Sequence, residues 1–321
     1  MVAIMVVIGG VTRLTHSGLS IVEWKPIAGV LPPLSQSEWQ EDFTRYQQFP
    51  EYQRLNRDMT LEGFKGIFWL EFIHRLWGRI LSLVFIVPFL CFLVRGRIDR
   101  PLAGRLAVVF LLGAAQGVLG WYMVKSGLVD RPDVSPYRLS AHLLLAFLLY
   151  GYLLRLGLSR IAPGPNIDTA AGLRTGLGCL AALVLLTIAS GGLVAGLDAG
   201  FAYNTFPLMA GQIVPDGLWL MEPITRNLFE NLITVQFQHR LLAILCCALA
   251  LALWAFSYRS PLGERARLAM HATAASALLQ LGLGIATLVL VVPIPWAAAH
   301  QAGALLLFTA TLYAHFTLRR S

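Results

Sequence analysis

Charge is scarce in this chain. Only 13% of its 321 residues are Asp, Glu, Lys or Arg, where a soluble domain carries about 25%. Hydrophobic residues make up 57%, so the balance excludes an ordinary soluble globule and marks an integral membrane protein. Cysteine is equally sparse: Cys91, Cys179, Cys246 and Cys247 all lie inside apolar runs, and none has the loop position or spacing of a disulfide framework or zinc site. No apolar run alternates with period two, which excludes barrel strands. None carries the midplane Gly/Pro interruption of a transporter's broken helix, which disfavours a substrate transporter built on a repeat. The N-terminal run continues into "GGVTRLTHSG" with no cleavage site of a signal peptide. The net charge of +8 does not point to nucleic acid, because its arginines gather in short loops between apolar runs, where membrane topology explains them.

What is present is a series of apolar runs of membrane-crossing length, about 20 residues. They fall at 66–94, 102–124, 137–158, 172–197, 231–257, 266–292 and 295–318. An eighth, Met1 to Val11, comes first and is short. The connections "RGRIDRPLAGR", "RLGLSRIAPG", "YRSPLGERAR" and the tail "LRRS" are basic and alternate along the chain. Positive loops face the cytoplasm, so both termini are expected on the cytoplasmic side; the expected location is a bacterial inner membrane.

The two halves of the chain resemble each other. "IGGVTRLTHSGLSIVEWKPIAGVLPP" echoes "ASGGLVAGLDAGFAYNTFPLMAGQIVP", and "EFIHRLWGRILSL" aligns with "QFQHRLLAILCCA". "AAQGVLGWYMV" aligns with "LLQLGLGIATLV", and "SAHLLLAFLLYGYL" with "AAHQAGALLLFTATLY". Four helices per half make a parallel repeat about an axis along the membrane normal. The expected fold is an all-α membrane protein of eight transmembrane helices, built as two pseudo-symmetric four-helix bundles, residues 1–160 and 161–321. The fifth helix is a full span before its Gly-Gly, whereas the first is brief before Gly9-Gly10. The repeat therefore predicts that roughly ten to fifteen residues of a span of about 20 are missing at the N-terminus.

The repeat sorts the seven histidines. His74, His142, His239 and His300 occupy matched positions, each within the first third of a helix running from outside to inside, and so share one depth near the outer face. His16, His271 and His315 have no such partners. Ionisable residues inside a membrane are costly and point to function. Two histidines on facing helices of one bundle suit axial ligation of haem iron, with Gly113, Gly117, Gly120, Gly282 and Gly284 leaving interior space. Arg75, Arg79 and Arg240 are placed to meet haem propionates. A lone intramembrane histidine more often makes a simple inter-helix hydrogen bond, but four at matched depth, two per bundle, favour ligation. Metal sites without haem lack supporting carboxylates and thiolates.

Glu71 breaks the symmetry. It stands three residues before His74, on the same helix face, where the second half has Gln236 before His239. A bundle in which chemistry occurs gains from such a charge; an ion pair with Arg75, one turn away, is the structural alternative.

Together "GGVTRLTHSGLSIVEWKPIAGVLPP", "EFIHRLWGR", "AHLLLAF", "QFQHRLLA" and "AAHQAGALLLF" resemble the haem A synthase family, in its proteobacterial and mitochondrial branch, over essentially the whole chain. The resemblance implies oxidation of the C8 methyl group of haem O to a formyl group by successive hydroxylations. It implies substrate haem O between His74 and His142, a haem b cofactor on His239 and His300, and a catalytic role for Glu71. Family branches that carry a cysteine pair in external loops differ from this chain, which has none. Haem O synthase and oxidase assembly factors are the partners implied, and a homo-oligomer is compatible with the sequence. The competing reading of the same four histidines is a diheme membrane cytochrome b that only carries electrons; it has no use for the Glu71 asymmetry.

Overall fold

The computed structural model describes residues 1–23, 28–128, 133–161 and 170–318. The basic tail and parts of the first loop, of segment 125–136 and of the "RLGLSRIAPG" connection lie outside the described residues. Among those described, the chain is helical, with no strand beyond one isolated bridge between Met209 and Gln212. It divides into two compact units, residues 1–146 and 147–321.

The first unit begins with α1 (Val2–Leu14), followed by α2 (Gln36–Tyr46), α3 (Pro50–Leu55), α4 (Leu61–Val94), α5 (Arg100–Gly127) and the start of α6 (Pro136–Ile161). The second holds the rest of α6, then α7 (Ala171–Gly196), the one-turn α8 (Asn227–Glu230), α9 (Leu232–Ser257), α10 (Glu264–Val289) and α11 (Ile294–Thr317). Six of these, α4, α5, α6, α7, α9 and α10, are long and apolar enough to cross a membrane. The chain is thus a multi-pass membrane protein. Helix α11 has 24 residues but its hydropathy is diluted by His300, Gln301 and His315, and α1 is a shorter apolar helix of 13 residues.

Helix ends follow local chemistry. Asp99 caps α5 by accepting the Leu102 N–H at 2.8 Å, with Pro101 in the first turn. Thr60 caps α4 through the Gly63 N–H at 3.2 Å. Asn231 caps α9 through Ile233 N–H at 2.9 Å, while its amide donates to the Gly217 carbonyl at 2.8 Å. One residue thereby starts a helix and ties down the loop before it.

In the second unit, α7 packs against α9 and α11, and α10 packs against the same two. Those four helices close a ring. In the first unit α1, α2 and α5 each pack against α4. The first long loop is itself folded, which its polar composition concealed. Ser35 caps α2, its Oγ accepting the Glu38 N–H at 3.2 Å, and Glu38 reaches back past the cap to accept the Leu34 N–H at 2.6 Å. The helix they start carries Trp39, Phe43 and Tyr46 on one face, buried against Phe64, Phe68 and Phe72 of α4. This aromatic cap extends α4 outward to Leu61, five residues before the apolar run begins. As a result His74 is the fourteenth residue of its helix, whereas His142, His239 and His300 are seventh, eighth and seventh of theirs.

Candidate functional site

The four histidines share one local device. Each lies against a glycine of a different helix, on which a Cβ atom would crowd the ring. Gly9 of α1 faces His74, Gly120 of α5 faces His142, Gly191 of α7 faces His239 and Gly284 of α10 faces His300. The contacts are 3.1, 3.2, 3.1 and 2.8 Å from the hypothetical Cβ. Three rings present Cε1 to their glycine; His74 presents Nε2 instead. A Cβ at Gly113, Gly117 or Gly282 would meet no atom of the described residues within 4 Å.

In the second unit His239 and His300 face each other with ring centres 6.4 Å apart and planes at 86°. Ser190 Oγ lies 2.8 Å from His239 Nδ1 and 2.7 Å from the Thr187 carbonyl oxygen. In the first unit His142 Nδ1 is buried with no hydrogen-bond partner among the described residues. Gln116, one turn before Gly120, donates to the His142 carbonyl at 3.1 Å.

Glu71 is 2% exposed, and both its oxygens are engaged. Oε2 accepts from Ser20 Oγ at 2.7 Å and from the Ile21 N–H at 2.8 Å, while Oε1 accepts from Arg75 at 2.5 Å. Arg75 also donates to the carbonyls of Ile21 at 2.8 Å and Glu23 at 3.3 Å. The ion pair anticipated as an alternative is therefore present, as part of a clasp that fastens the first loop to α4.

The second unit repeats the clasp with a different polarity. Gln236 donates to the carbonyls of Ala199 at 2.7 Å and Ala202 at 2.5 Å. Arg240 donates to Gln236 Oε1 at 2.9 Å and to the carbonyls of Tyr203 at 2.5 Å and Thr205 at 2.7 Å. Residues 21 and 23 match 203 and 205 in the repeat. His16 and Asp198, also matched, both follow a helix end in the left-handed region, at φ 50° and 51°. Glu accepts where the loop offers N–H and O–H; Gln donates where it offers carbonyls.

Arg75 and Arg79 line a cavity of about 350 Å³ between the first loop and α4, bounded also by Ser20, Glu23, Phe68 and Phe72. A second cavity of about 230 Å³ adds Trp121 and Lys125 of α5 to Arg75. Outside the spans, Glu51 of α3 is 3% exposed and accepts from the Tyr46 hydroxyl at 3.0 Å. Burial pushes its carboxyl up to about 8, the Tyr46 hydrogen bond opposes this, and nearby Glu71 adds to it. Burial also raises the Tyr46 hydroxyl.

With this geometry in view, comparison with known proteins is decisive for the family. The COX15-CtaA family, described as cytochrome oxidase assembly protein, matches residues 1–312. The chain belongs to that family. Among its COX15-CtaA relatives, the heme A synthase of Nitrosospira multiformis is 53% identical over 98% of this chain and 90% of its own length. That of Paramagnetospirillum magneticum is 53% identical over 100% and 91%, and human heme A synthase COX15 is 47% identical over 99% and 80%. No solved structure matches this COX15-CtaA chain significantly.

The sequence singles out the histidines, Glu71 and the three arginines. It does not single out Ser190, the loop carbonyls or the buried Glu51. Ser35-x-x-Glu38 ahead of Trp39, Phe43 and Tyr46 was the available signal for the cap.

Proposed function

We propose that this chain is a haem A synthase, a membrane oxidoreductase that converts the C8 methyl group of haem O to a formyl group by successive hydroxylations. The observation that carries this is identity of 47–53%, over nearly the whole chain, with proteins named heme A synthase from bacteria to human. Those names favour the synthase over the diheme electron carrier that the same four histidines would also serve.

The second unit fits a resident haem b. At a metal–nitrogen bond of about 2 Å, two imidazoles holding one metal between them put their ring centres about 6 Å apart. The His239–His300 separation of 6.4 Å supports that assignment, as does the space kept by Gly191 and Gly284. Arg240 Nε is buried without a partner among the described residues, leaving a donor for a propionate. Haem b, when bound, supplies a one-electron redox centre.

In the first unit, His74 and His142 would flank substrate haem O, with Arg75 and Arg79 meeting its propionates. Glu71 is the catalytic group. Each hydroxylation would take its oxygen from water and give up two electrons and two protons, the electrons passing to an external acceptor; the positive charge that develops at the methyl carbon would be stabilised by a carboxylate about 4 Å away by about 4 kcal/mol at an effective dielectric near 20. Arg75 offsets part of this. Release of Ser20 from Oε2 would free that oxygen to take a proton from the attacking water.

The rest of the reading follows the repeat: eight spans in two pseudo-symmetric four-helix bundles, residues 1–160 and 161–321, in the bacterial inner membrane with both termini cytoplasmic. Haem O synthase, oxidase assembly factors and a second copy of the chain are the candidate partners.

Haem extraction from the purified protein tests the assignment. Haem O or haem A alongside haem B is the expected result. Haem B alone, with no haem A formed in cells supplied with haem O, would return the chain to electron transfer.

A further inference from the structure

The two units treat their first histidine differently, and the difference is chemical. Ser190 immediately precedes the glycine that abuts His239; Ile8 immediately precedes the glycine that abuts His74. One position carries a hydroxyl, the other a hydrocarbon.

A serine hydroxyl has one hydrogen to give. Ser190 Oγ stands 2.7 Å from the Thr187 carbonyl oxygen, a separation that two oxygens hold only with a hydrogen between them. That hydrogen is therefore spent on Thr187. The two acceptors beside the ring, Ser190 Oγ at 2.8 Å and the Thr187 carbonyl, both favour the hydrogen on His239 Nδ1, with Nδ1–H donating to Oγ. The neutral imidazole carries its lone pair on Nε2, the atom farthest from Gly191 of the three ring atoms near it. Hydroxyl and glycine together fix both the tautomer and the rotation of the ring. On the other side, Ile8 offers His74 no such acceptor, and that ring is found with Nε2 turned into Gly9 at 3.1 Å.

We propose that Ser190 is the positioning residue for His239, holding Nδ1–H so that Nε2 is presented to the iron of a resident haem, and that Ile8 at the matched position leaves His74 unheld so that the substrate haem can leave. The two sites are built for unequal retention of the same class of ligand, an iron porphyrin. A resident cofactor gains from a ligand whose orientation is fixed in advance. A substrate site that must release a product of nearly the same shape gains from a ligand free to turn away. The proposal rests on the assignment of His239 and His300 to haem b.

Three variants of the whole chain test it: Ser190→Ala, Ser190→Thr and Ile8→Ser. Loss of the acceptor at Nδ1 weakens metal binding by about 10- to 100-fold and makes the imidazole a poorer electron donor. Ser190→Ala is expected to release haem B at least about tenfold faster to apomyoglobin and to raise the midpoint potential of the haem that remains. Ser190→Thr restores both. Ile8→Ser is expected to raise the amount of haem O plus haem A that co-purifies. Unchanged release rate and potential in Ser190→Ala overturn the proposal while leaving the haem b assignment intact. Wild-type protein that holds no haem B overturns the assignment, and the proposal with it.

Discussion

Arg75 donates to Glu71 at 2.5 Å across one turn of α4, and both side chains reach from that turn to the same stretch of the first loop. Arg75 is 13% and Glu71 3% exposed at the side chain, so neither charge is well served by water. Removing one member of such a pair leaves the other buried and uncompensated, at a cost of about 3–5 kcal/mol. Arg75→Ala is expected to lower the thermal midpoint in detergent clearly. Arg75→Ala with Glu71→Gln is expected to recover part of the loss, since an amide tolerates burial better than an unpaired carboxylate. Strict additivity of the two substitutions in a double-mutant cycle would show that the pair is not coupled.

Much of this molecule is legible in its sequence because membranes impose simple rules. The long apolar runs became α4–α7 and α9–α11, with bounds shifted by a turn or less except at Leu61, because nothing but a helix satisfies the backbone there. The histidines and Glu71 stood out because charge and imidazole are conspicuous among leucines. The clasps were not legible, since their acceptors are backbone carbonyls of Ile21, Glu23, Tyr203 and Thr205, which no side-chain pattern announces. Ser190 was hidden for a related reason. A serine inside an apolar helix usually bonds its own backbone, as this one does to Thr187, and its second bond depends on which ring the fold brings opposite.

Glu51 sets a pH dependence on the first unit. Its carboxyl titrates near 8 in the folded protein and near 4.3 when unfolded, so the folded state binds the extra proton between those values. Stability therefore falls as pH rises from about 4.3 to about 8, by at most about 1.4 kcal/mol per pH unit, and is flat beyond. Glu51→Gln is expected to remove this slope and to leave a protein more stable than wild type at pH 8. Thermal midpoints of the two proteins from pH 5 to 8 measure it, and parallel curves would mean that Glu51 is ionised in the fold.

The glycine–histidine contacts make a graded prediction. A methyl at Gly284 would stand 2.8 Å from His300 Cε1, against 3.1 Å for Gly191 and His239. The first distance forces a ring to move; the second asks it to give by a few tenths of an ångström. Gly284→Ala is expected to lose most haem B, Gly191→Ala a smaller part. Gly172→Ala, where no atom of the described residues lies within 4 Å, is expected to lose none and to gain a few tenths of a kcal/mol in helix stability, up to about 1. The haem-to-protein ratio by pyridine haemochrome reads all three.

Glu71→Gln separates fastening from chemistry. Gln236 and Arg240 hold the matched clasp with an amide at 2.9 Å, so an amide oxygen at position 71 can still accept from Arg75, and its NH2 can donate to the Ser20 hydroxyl, leaving only the Ile21 N–H without its acceptor. What it cannot do is carry charge or take a proton at Oε2. A purely structural Glu71 predicts a variant with near-normal haem A yield and at most a modest fall in thermal midpoint. A catalytic Glu71 predicts that haem A falls by about 100-fold or more, the range typical of a lost acid–base group, with a hydroxylated haem retained in its place. Gln236→Glu is the reciprocal control. It buries a carboxylate against the carbonyls of Ala199 and Ala202, which repel it, and is expected to destabilise the second unit without supplying any new oxidation. Measured side by side, chromatography of extracted haems and thermal midpoints assign Glu71 to one role or the other, because only the catalytic reading stops the reaction in a protein that remains folded.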